Sequence, residues 1–417
     1  MSFSDSYFMR QALRLARRGY GTTSPNPMVG AVLVKGGKII GRGWHRRAGL
    51  PHAEIEALRD AQKRGHNPDG TTLYVTLEPC STHGRTPPCA EAIIAAGIKR
   101  VIVSAADPNP THSGRAFEIL RRAGIELDWW GERTREPLQG NHHREGSWGH
   151  SPHRRLADEC AQLNEAFNHW IVHRTPFVTV KAAITLDGKI ATASGESKWI
   201  TGEMARAYAM KLRQGNDAIL VGINTILADD PALTARKQKV KPIRRIILDS
   251  MARTPLKSKV VSDDFATSTT IVVSKHAPAK RILALAKRVN ILIAPSNRVG
   301  RASSRAGTSA ASPGQQLNLP WLLKKLGAEN ITSLLVEGGG EANASFLLTG
   351  LAHRIAFFYA PKILGGRDSL KAVAGEGAKS LADALGLRDI KWKRLGPDLL
   401  LTARVRQTRL DGVSPHR

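Results

Sequence analysis

One short stretch, Pro51-His52-Ala53-Glu54, and its distant complement, Glu78-Pro79-Cys80 through Pro87-Pro88-Cys89, constrain this chain more than anything else in it. One imidazole and two thiols make a three-ligand set for zinc and leave a fourth position open for water. That is the layout of a catalytic metal rather than a structural one. A fold that uses them must carry three side chains, well separated in sequence, to one point. Glu54 follows His52 after a single alanine and is placed to shuttle protons beside the metal.

Zinc prefers nitrogen and sulfur ligands, and its thiols must be deprotonated. Both cysteines follow proline and precede expected helices, whose N-termini carry partial positive charge that favours thiolate. His52 and Glu54 share the first turn of their helix. Zinc lowers the pKa of bound water to about 7, so Glu54 can take a proton from that water and return it to a leaving amine. A structural zinc site would need a fourth protein ligand, and His83 in the intervening loop is the candidate for that alternative. Hydrated zinc beside a general acid/base replaces an amino group by oxygen on a heterocycle, and His-x-Glu with Pro-Cys is the signature of nucleobase deaminases.

The surrounding pattern alternates. Residues 4–18 form an amphipathic helix, Val29 to Val34 and Lys38 to Trp44 a hairpin turned at Gly36-Gly37, and His52 to Arg64 a helix opened by Pro51. Thr71 to Leu77 is β-rich, Cys89 to Ala96 a short helix, and strand, helix and strand follow at 100–104, 114–123 and 125–129. This predicts an α/β domain over 1–131, with helices covering a central sheet. Residues 132–155 are polar and basic, with His142, His143, His150 and His153 among Arg, Gly and Ser, and read as a linker. A second α/β domain is expected over 156–407, opening with a helix at about 156–173. Its β-rich runs lie at 177–181, 218–221, 245–248, 270–273, 291–293 and 333–337, with helices at 204–213, 278–288, 319–327 and 341–349. Residues 297–316 read as a disordered insertion and 408–417 as a tail.

Chemistry in the second half lies in three stretches. Lys181 to Ala191, continuing through Ser194 to Thr201, carries a strand into a polar, Gly-bearing loop. Loops at strand ends are where α/β proteins put ligands. Leu335 to Ala344 runs strand, Gly338-Gly339-Gly340, helix. That geometry lets backbone N–H groups approach a phosphate, or else makes a tight turn that packs helix on strand. Between them, Val221 to Arg236 has clustered polar groups without helical period, which favours a site loop.

Composition narrows the partners. The 417 residues are 41% hydrophobic and 23% charged, as expected of globular domains with real cores. No run approaches the roughly 20 apolar residues that cross a bilayer, and no secretory leader is evident. Three cysteines, two of them claimed for metal and Cys160 left over, suit a reducing cytoplasm. The net charge of +27 attracts anions, either nucleic acid or phosphorylated small molecules, or is a solvated basic surface.

Thr76 to Cys89, with Pro25 to Gly30 and His45 to Glu54, closely resembles the deaminase half of the bifunctional deaminase–reductases of riboflavin biosynthesis. The three later stretches resemble the reductase half. The resemblance covers nearly the whole chain except 132–155, 297–316 and the tail. It implies a cytidine-deaminase-like three-layer domain followed by a dihydrofolate-reductase-like α/β domain. It implies zinc on His52, Cys80 and Cys89, Glu54 as proton shuttle, and Asn26, His45 and Arg85 holding a pyrimidine and its ribose phosphate. It implies that Ser197, Arg213, Leu233, Arg236 and Glu337 contact the reductase substrate. It further implies that Ala183, Trp199, Thr225, Asp229, Ser250, Gly339, Gly340, Glu341, Ala342, Asn343, Ala344 and Ser345 line NADPH. Arg213 and Arg236 suit a phosphate monoester, which guanidinium pairs bidentately. The implied reactions are hydrolysis of the 2-amino group of a diaminopyrimidinone ribosyl phosphate and reduction of its ribosyl group to ribityl. The partner is then a small phosphorylated pyrimidine, with no nucleic acid and no membrane, and a homo-oligomer is expected. The rival is a nucleic-acid-directed zinc deaminase, which needs a basic groove with aromatic platforms; aromatics are only 5%.

Overall fold

The computed structural model describes residues 4–82, 87–109, 111–131, 152–235, 242–295 and 317–406. The chain divides into two compact units, Met1–Arg174 and Thr175–Arg417.

The first unit runs α1 (Asp5–Ala16), β1 (Gly30–Lys35), β2 (Lys38–Trp44), α2 (Ala53–Lys63), β3 (Thr72–Val75), α3 (Cys89–Ala95), β4 (Arg100–Val103), α4 (Arg115–Arg122), β5 (Glu126–Trp129), α5 (Pro152–Leu163) and α6 (Glu165–His173). The strands lie in the order β2-β1-β3-β4-β5, the first three antiparallel and the rest parallel. Strand alternation sorts the core. Ala31, Leu33, Leu73, Val75, Val101 and Val103 face α2, α3 and α4 on one side. Val32, Val34, Tyr74 and Ile102 face α1 and α5 on the other. This is the expected three-layer domain. At Gly41 and Gly43 of β2, an added Cβ would run into the backbone of α2 at Ala57 and Ala53. Their lack of a side chain lets α2, and the residues at its start, lie close on the sheet.

Two expectations change at the boundary. The single helix at 156–173 is two helices broken at Asn164, whose side chain accepts from the Met28 N–H at 2.7 Å and donates to the Met28 carbonyl at 2.9 Å. The second domain was expected from 156, but Leu156, Ala157 and Cys160 are buried with Phe8, Met9, Leu13 and Trp130. The apolar face of α5 covers α1, so these helices belong to the first unit. The rest of the linker (132–151), the expected insertion (297–316) and the 408–417 tail lie outside the described residues.

The second unit runs β6 (Phe177–Thr185), β7 (Lys189–Ala191), α7 (Glu203–Gln214), β8 (Ala218–Gly222), α8 (Ile223–Asp229), β9 (Arg244–Leu248), α9 (Lys259–Ser262), β10 (Thr269–Ser274), α10 (Ala279–Ala286), β11 (Asn290–Ala294), α11 (Leu319–Ala328), β12 (Ser333–Val336), α12 (Gly340–Leu347), β13 (Arg354–Ala360), β14 (Leu370–Lys371), β15 (Leu387–Leu395) and β16 (Asp398–Val405). Its nine-stranded sheet has the order β11-β10-β9-β8-β12-β6-β13-β16-β15. The strands from β11 to β13 are parallel, and β16 and β15 close the edge antiparallel. Parallel strands covered on both faces read as continuous apolar runs. Accordingly Leu220, Ile246 and Val336 face α11 and α12, while Ile219, Ile247 and Val273 face α8, α9 and α10.

The stretch after Val221 was expected to be a site loop. Its first part is the helix α8 instead, because Ile223 and Ile226 bury one face while Asn224 and Leu227 stay outside. The strands β13, β15 and β16 were not anticipated. Among the described residues no helix is long and apolar enough to cross a membrane.

Candidate active sites

In the first unit, His52 is the N-cap of α2. Its Nδ1 lies 3.5 Å from Cys80 Sγ and 3.3 Å from Cys89 Sγ. The three ligand atoms all fall within 4.8 Å of one another. Bonds of about 2.3 Å to sulfur and about 2.0 Å to nitrogen let one zinc ion reach all three, so the donor set fits the metal. Cys89 opens α3 after Pro88, as expected. Cys80 does not open a helix among the described residues. Its sulfur instead accepts the Cys89 N–H at 3.2 Å, and its carbonyl accepts the Ala90 N–H at 3.2 Å. One helix N-terminus thus serves both sulfurs. A hydrogen bond from the Cys89 thiol, helped by His52 and that N–H, holds the Cys80 thiol well below the ordinary thiol range.

Glu54 sits one residue into α2, 3% exposed, and its Oε2 has no hydrogen-bond partner among the described residues. Burial pushes its carboxyl up to about 7, against the pull of His52. His45 is also buried. Its Nδ1–H donates to the Pro51 carbonyl at 3.1 Å, and its Nε2 accepts from Asn26 Nδ2 at 3.2 Å. Burial lowers its pKa, so the ring is neutral, in one tautomer, and edge-on to His52 with ring centroids 5.3 Å apart. Asn26, His45 and Pro51 form a hydrogen-bonded line leading to the ligand His52. Arg85, and His83 with its alternative role as fourth ligand, lie outside the described residues.

Glu78 was quoted in the motif without a role. It is buried. Its Oε2 accepts the N–H groups of Asp107 and Gly114, both at 3.1 Å, and its Oε1 accepts that of Ala116 at 3.2 Å. It caps α4 and ties the segment that ends in Cys80 to the loop at 105–116. The sequence signal was an acid directly after a buried strand, followed by proline.

In the second unit, the expected residues gather at the C-terminal ends of neighbouring parallel strands. Ala183 is near the end of β6, Thr225 and Asp229 follow β8, Ser250 follows β9, and 339–345 follow β12. Lys198 Nζ lies 3.5 Å from Asp229 Oδ1, which brings the loop of Ser197 and Trp199 to α8. Trp199 is 65% exposed, with the Arg206 guanidinium 4.6 Å from its ring centroid. Of the glycines after β12, Gly338 and Gly340 are needed for packing, against Ala342 and against the 371–374 segment; beside Gly339 the space is open. The strand–glycine–helix turn therefore serves packing and still leaves backbone for a ligand to approach. Asn343 and Ala344 are turned into the core, Asn343 donating to the Ala372 carbonyl at 2.8 Å. Within 339–345 the Glu341 side chain is exposed, while Gly339, Gly340, Ala342 and Ser345 are half-buried. An open backbone turn at the end of a parallel strand fits a phosphate of a dinucleotide.

Glu337, 7% exposed, is the centre of the second constellation. Arg213 pairs with it bidentately, Nε to Oε1 at 2.8 Å and Nη2 to Oε2 at 2.9 Å, and Lys181 Nζ lies 3.5 Å from Oε2. Burial alone would raise the Glu337 pKa; the charges of Lys181 and Arg213 overcome that and hold it at about 2. Arg213 Nη1 also donates to the Thr234 carbonyl at 3.2 Å. Arg213, expected to contact the substrate and suited to a phosphate monoester, lays its forked edge on Glu337, another residue expected at the substrate. Lys181, which opened the motif without an assigned role, belongs to this cluster. Leu233 is buried with a left-handed backbone, φ 50°, and Arg236 lies outside the described residues.

Comparison with known proteins agrees with both halves. Residues 2–105 match the family described as the cytidine and deoxycytidylate deaminase zinc-binding region, and residues 176–401 match the RibD C-terminal domain. The riboflavin biosynthesis protein RibD of Aquifex aeolicus is 41% identical over 95% of this chain and 97% of its own. That of Actinobacillus pleuropneumoniae is 38% identical over 96% and 95%. Among solved structures, Acinetobacter baumannii RibD superposes with a TM-score of 0.76 at 32% identity, covering 97% of this chain and 99% of its own. A diaminohydroxyphosphoribosylaminopyrimidine deaminase/5-amino-6-(5-phosphoribosylamino)uracil reductase from Thermotoga maritima gives 0.74 at 31%, covering 96% and 98%.

Proposed function

The chain belongs to the RibD family of riboflavin-biosynthesis deaminase–reductases, and on that premise we propose which of its residues carry each reaction. It is a zinc-dependent deaminase and an NADPH-dependent reductase in one polypeptide. Its substrate is a diaminopyrimidinone ribosyl phosphate, whose 2-amino group leaves as ammonia before the ribosyl group is reduced to ribityl. Relatives spanning 95% of the chain leave the nucleic-acid-directed alternative without support.

His52, Cys80 and Cys89 hold the zinc, which when bound supplies a water of lowered pKa. Glu54 moves the protons. Burial raises its carboxyl from the ordinary range, which suits a group that must both take and give a proton. Its Oε2, shut away from solvent, has no hydrogen-bond partner among the described residues. Asn26 and the neutral His45 hold the pyrimidine, and Arg85 meets the ribose phosphate. In the second unit NADPH supplies a hydride, and the chain orients it. Ala183, Trp199, Thr225, Asp229, Ser250 and the 339–345 backbone form the cofactor strip. Ser197, Leu233, Arg236 and Glu337 contact the sugar phosphate. Arg213 acts through Glu337 and the Thr234 carbonyl. The deaminase body takes in the helices up to Arg174, and the reductase begins at Thr175. Sparse cysteines fit a cytoplasmic enzyme, and we take it to assemble with copies of itself, which light scattering reads.

The observation that carries the proposal is Glu54, buried with its Oε2 lacking a partner among the described residues, beside three converging side chains of the zinc-ligand type. Purified, zinc-loaded protein should release ammonia from the diaminopyrimidinone ribosyl phosphate, and that product should then oxidise NADPH. Reduction that proceeds equally well without prior deamination would overturn the order of the steps. Undiminished ammonia release by Glu54→Ala would overturn the assignment of the shuttle.

A further inference from the structure

We propose that Arg245 is a positioning residue for the reductase substrate, turning the Ala232–Leu233 peptide so that the Leu233 N–H faces an acceptor oxygen of the sugar phosphate. This rests on the proposed contact between Leu233 and the substrate.

Arg245, near the start of β9, is 1% exposed. All its N–H groups point at acceptors. Nε donates to Thr269 Oγ1 at 2.8 Å. Nη1 donates to Asp263 Oδ2 at 2.7 Å and to the Ala232 carbonyl at 2.9 Å. Nη2 donates to Asp263 Oδ1 at 2.8 Å and to the Val260 carbonyl at 3.2 Å. Burying a guanidinium is expensive even when paired, and an apolar residue would pack the sheet as well. What an apolar residue could not do is grip a loop carbonyl.

The gripped loop needs holding. Asp230 and Leu233 have φ of 41° and 50°, in the left-handed region that non-glycine residues rarely occupy because it is strained. Three ties oppose that strain. Asp230 Oδ1 accepts the Lys259 N–H at 2.9 Å, the Ala232 carbonyl is held by Arg245, and the Thr234 carbonyl is held by Arg213. The Leu233 side chain is buried in the core, so the loop presents backbone there, not a side chain. A trans peptide directs its C=O and N–H to opposite sides. With the Ala232 oxygen turned to Arg245, the Leu233 N–H is turned away from it. Among the described residues that N–H has no hydrogen-bond partner.

Arg245→Lys keeps a charge for Asp263 but cannot make the whole fork. It should raise KM for the deaminated pyrimidine phosphate about tenfold, leave KM for NADPH within about twofold, and leave ammonia release by the first unit unchanged. Should that variant fail to fold, Asp263→Asn decides, with an expected rise of about threefold in the same constant. A fall in thermal stability with substrate KM unmoved would reduce Arg245 to scaffold and overturn the proposal. Equal rises for substrate and NADPH would overturn it too. Hydrogen exchange separates this from the contact it rests on. If substrate does not protect the 230–235 amides in the unaltered protein, the contact is wrong and the proposal falls with it. If substrate protects them equally in Arg245→Lys, with KM unmoved, only the role of Arg245 is wrong.

Discussion

The zinc site of the first unit and the strand-end site of the second are built by different means. The first is four side chains, His52, Glu54, Cys80 and Cys89, whose element types the metal and the proton dictate. The second, as proposed, is a strip of backbone and ion pairs, where space is open beside Gly339 and the Glu337 carboxylate is shared by the cations of Arg213 and Lys181. A reacting centre tolerates almost no substitution, whereas a binding strip spreads its work over many weak contacts. The two should therefore fail differently when struck.

The hardest blow falls on the first unit. Glu54→Gln removes the proton carrier while keeping its shape, and should lower ammonia release by about 10²–10⁴. Chelation of zinc, or Cys89→Ser, should bring it to background. In each case NADPH oxidation with the already deaminated substrate should persist. Its loss along with ammonia release would show that the second site depends on the first, and the contrast between them would collapse.

In the second unit the largest effect is on stability. Glu337→Gln leaves Lys181 and Arg213 buried without a counter-ion, which should destabilise the reductase unit by about 3 kcal/mol or more in chemical denaturation. The pH dependence follows from the sign of the shift. Glu337 is held at about 2 when folded, below the usual carboxylate value of about 4.3 when unfolded. Its contribution is thus fully present above the unfolded value and is lost as pH falls from about 4.3 towards 2. The gap between parent and variant should close across that window; a gap that stayed constant would mean the carboxylate charge is not what stabilises.

The same contrast governs what could be read from the sequence. His52, Glu54, Cys80 and Cys89 were legible because zinc accepts so few donors and proline marks the corners. The elements of the first unit followed from helical period, β-rich runs and the Pro and Gly between them, and in the structure β1, β3 and β4 alternate between two helical layers. Less was legible in the second unit. Nothing in the sequence announces that Arg213 and Glu337, far apart along the chain, pair with each other. Residues 223–229 looked like a loop because α8 shows only two buried isoleucines in its short length. The helix at 152–163 was assigned to the wrong body because an apolar face does not name its partner. Glu78 and Arg245 act through backbone groups, which leave no side-chain pattern to find.

A milder strike at the first site tests whether its surroundings behave like a strip. Asn26→Ala should free His45 Nε2 without touching the metal ligands. Losing one half-buried hydrogen bond of about 1 kcal/mol predicts a fall of about fivefold to tenfold in kcat/KM for ammonia release, with zinc content unchanged. Loss of bound zinc would mean that the line from Asn26 through His45 to Pro51 supports His52 itself.

The smallest effect belongs to the pair that joins the Trp199 loop to α8. Lys198 and Asp229 are 57% and 36% exposed at 3.5 Å, so water and salt screen most of their attraction. Lys198→Ala should change reductase stability by no more than about 0.5 kcal/mol. If Asp229 faces NADPH, however, removing its competing cation should still alter KM for NADPH by about twofold to threefold, and more at low salt than at high. A change in cofactor affinity with none in stability is what a binding strip gives. A stability loss comparable to that of Glu337→Gln would make the loop part of the scaffold and Trp199 a surface residue with no cofactor to cover.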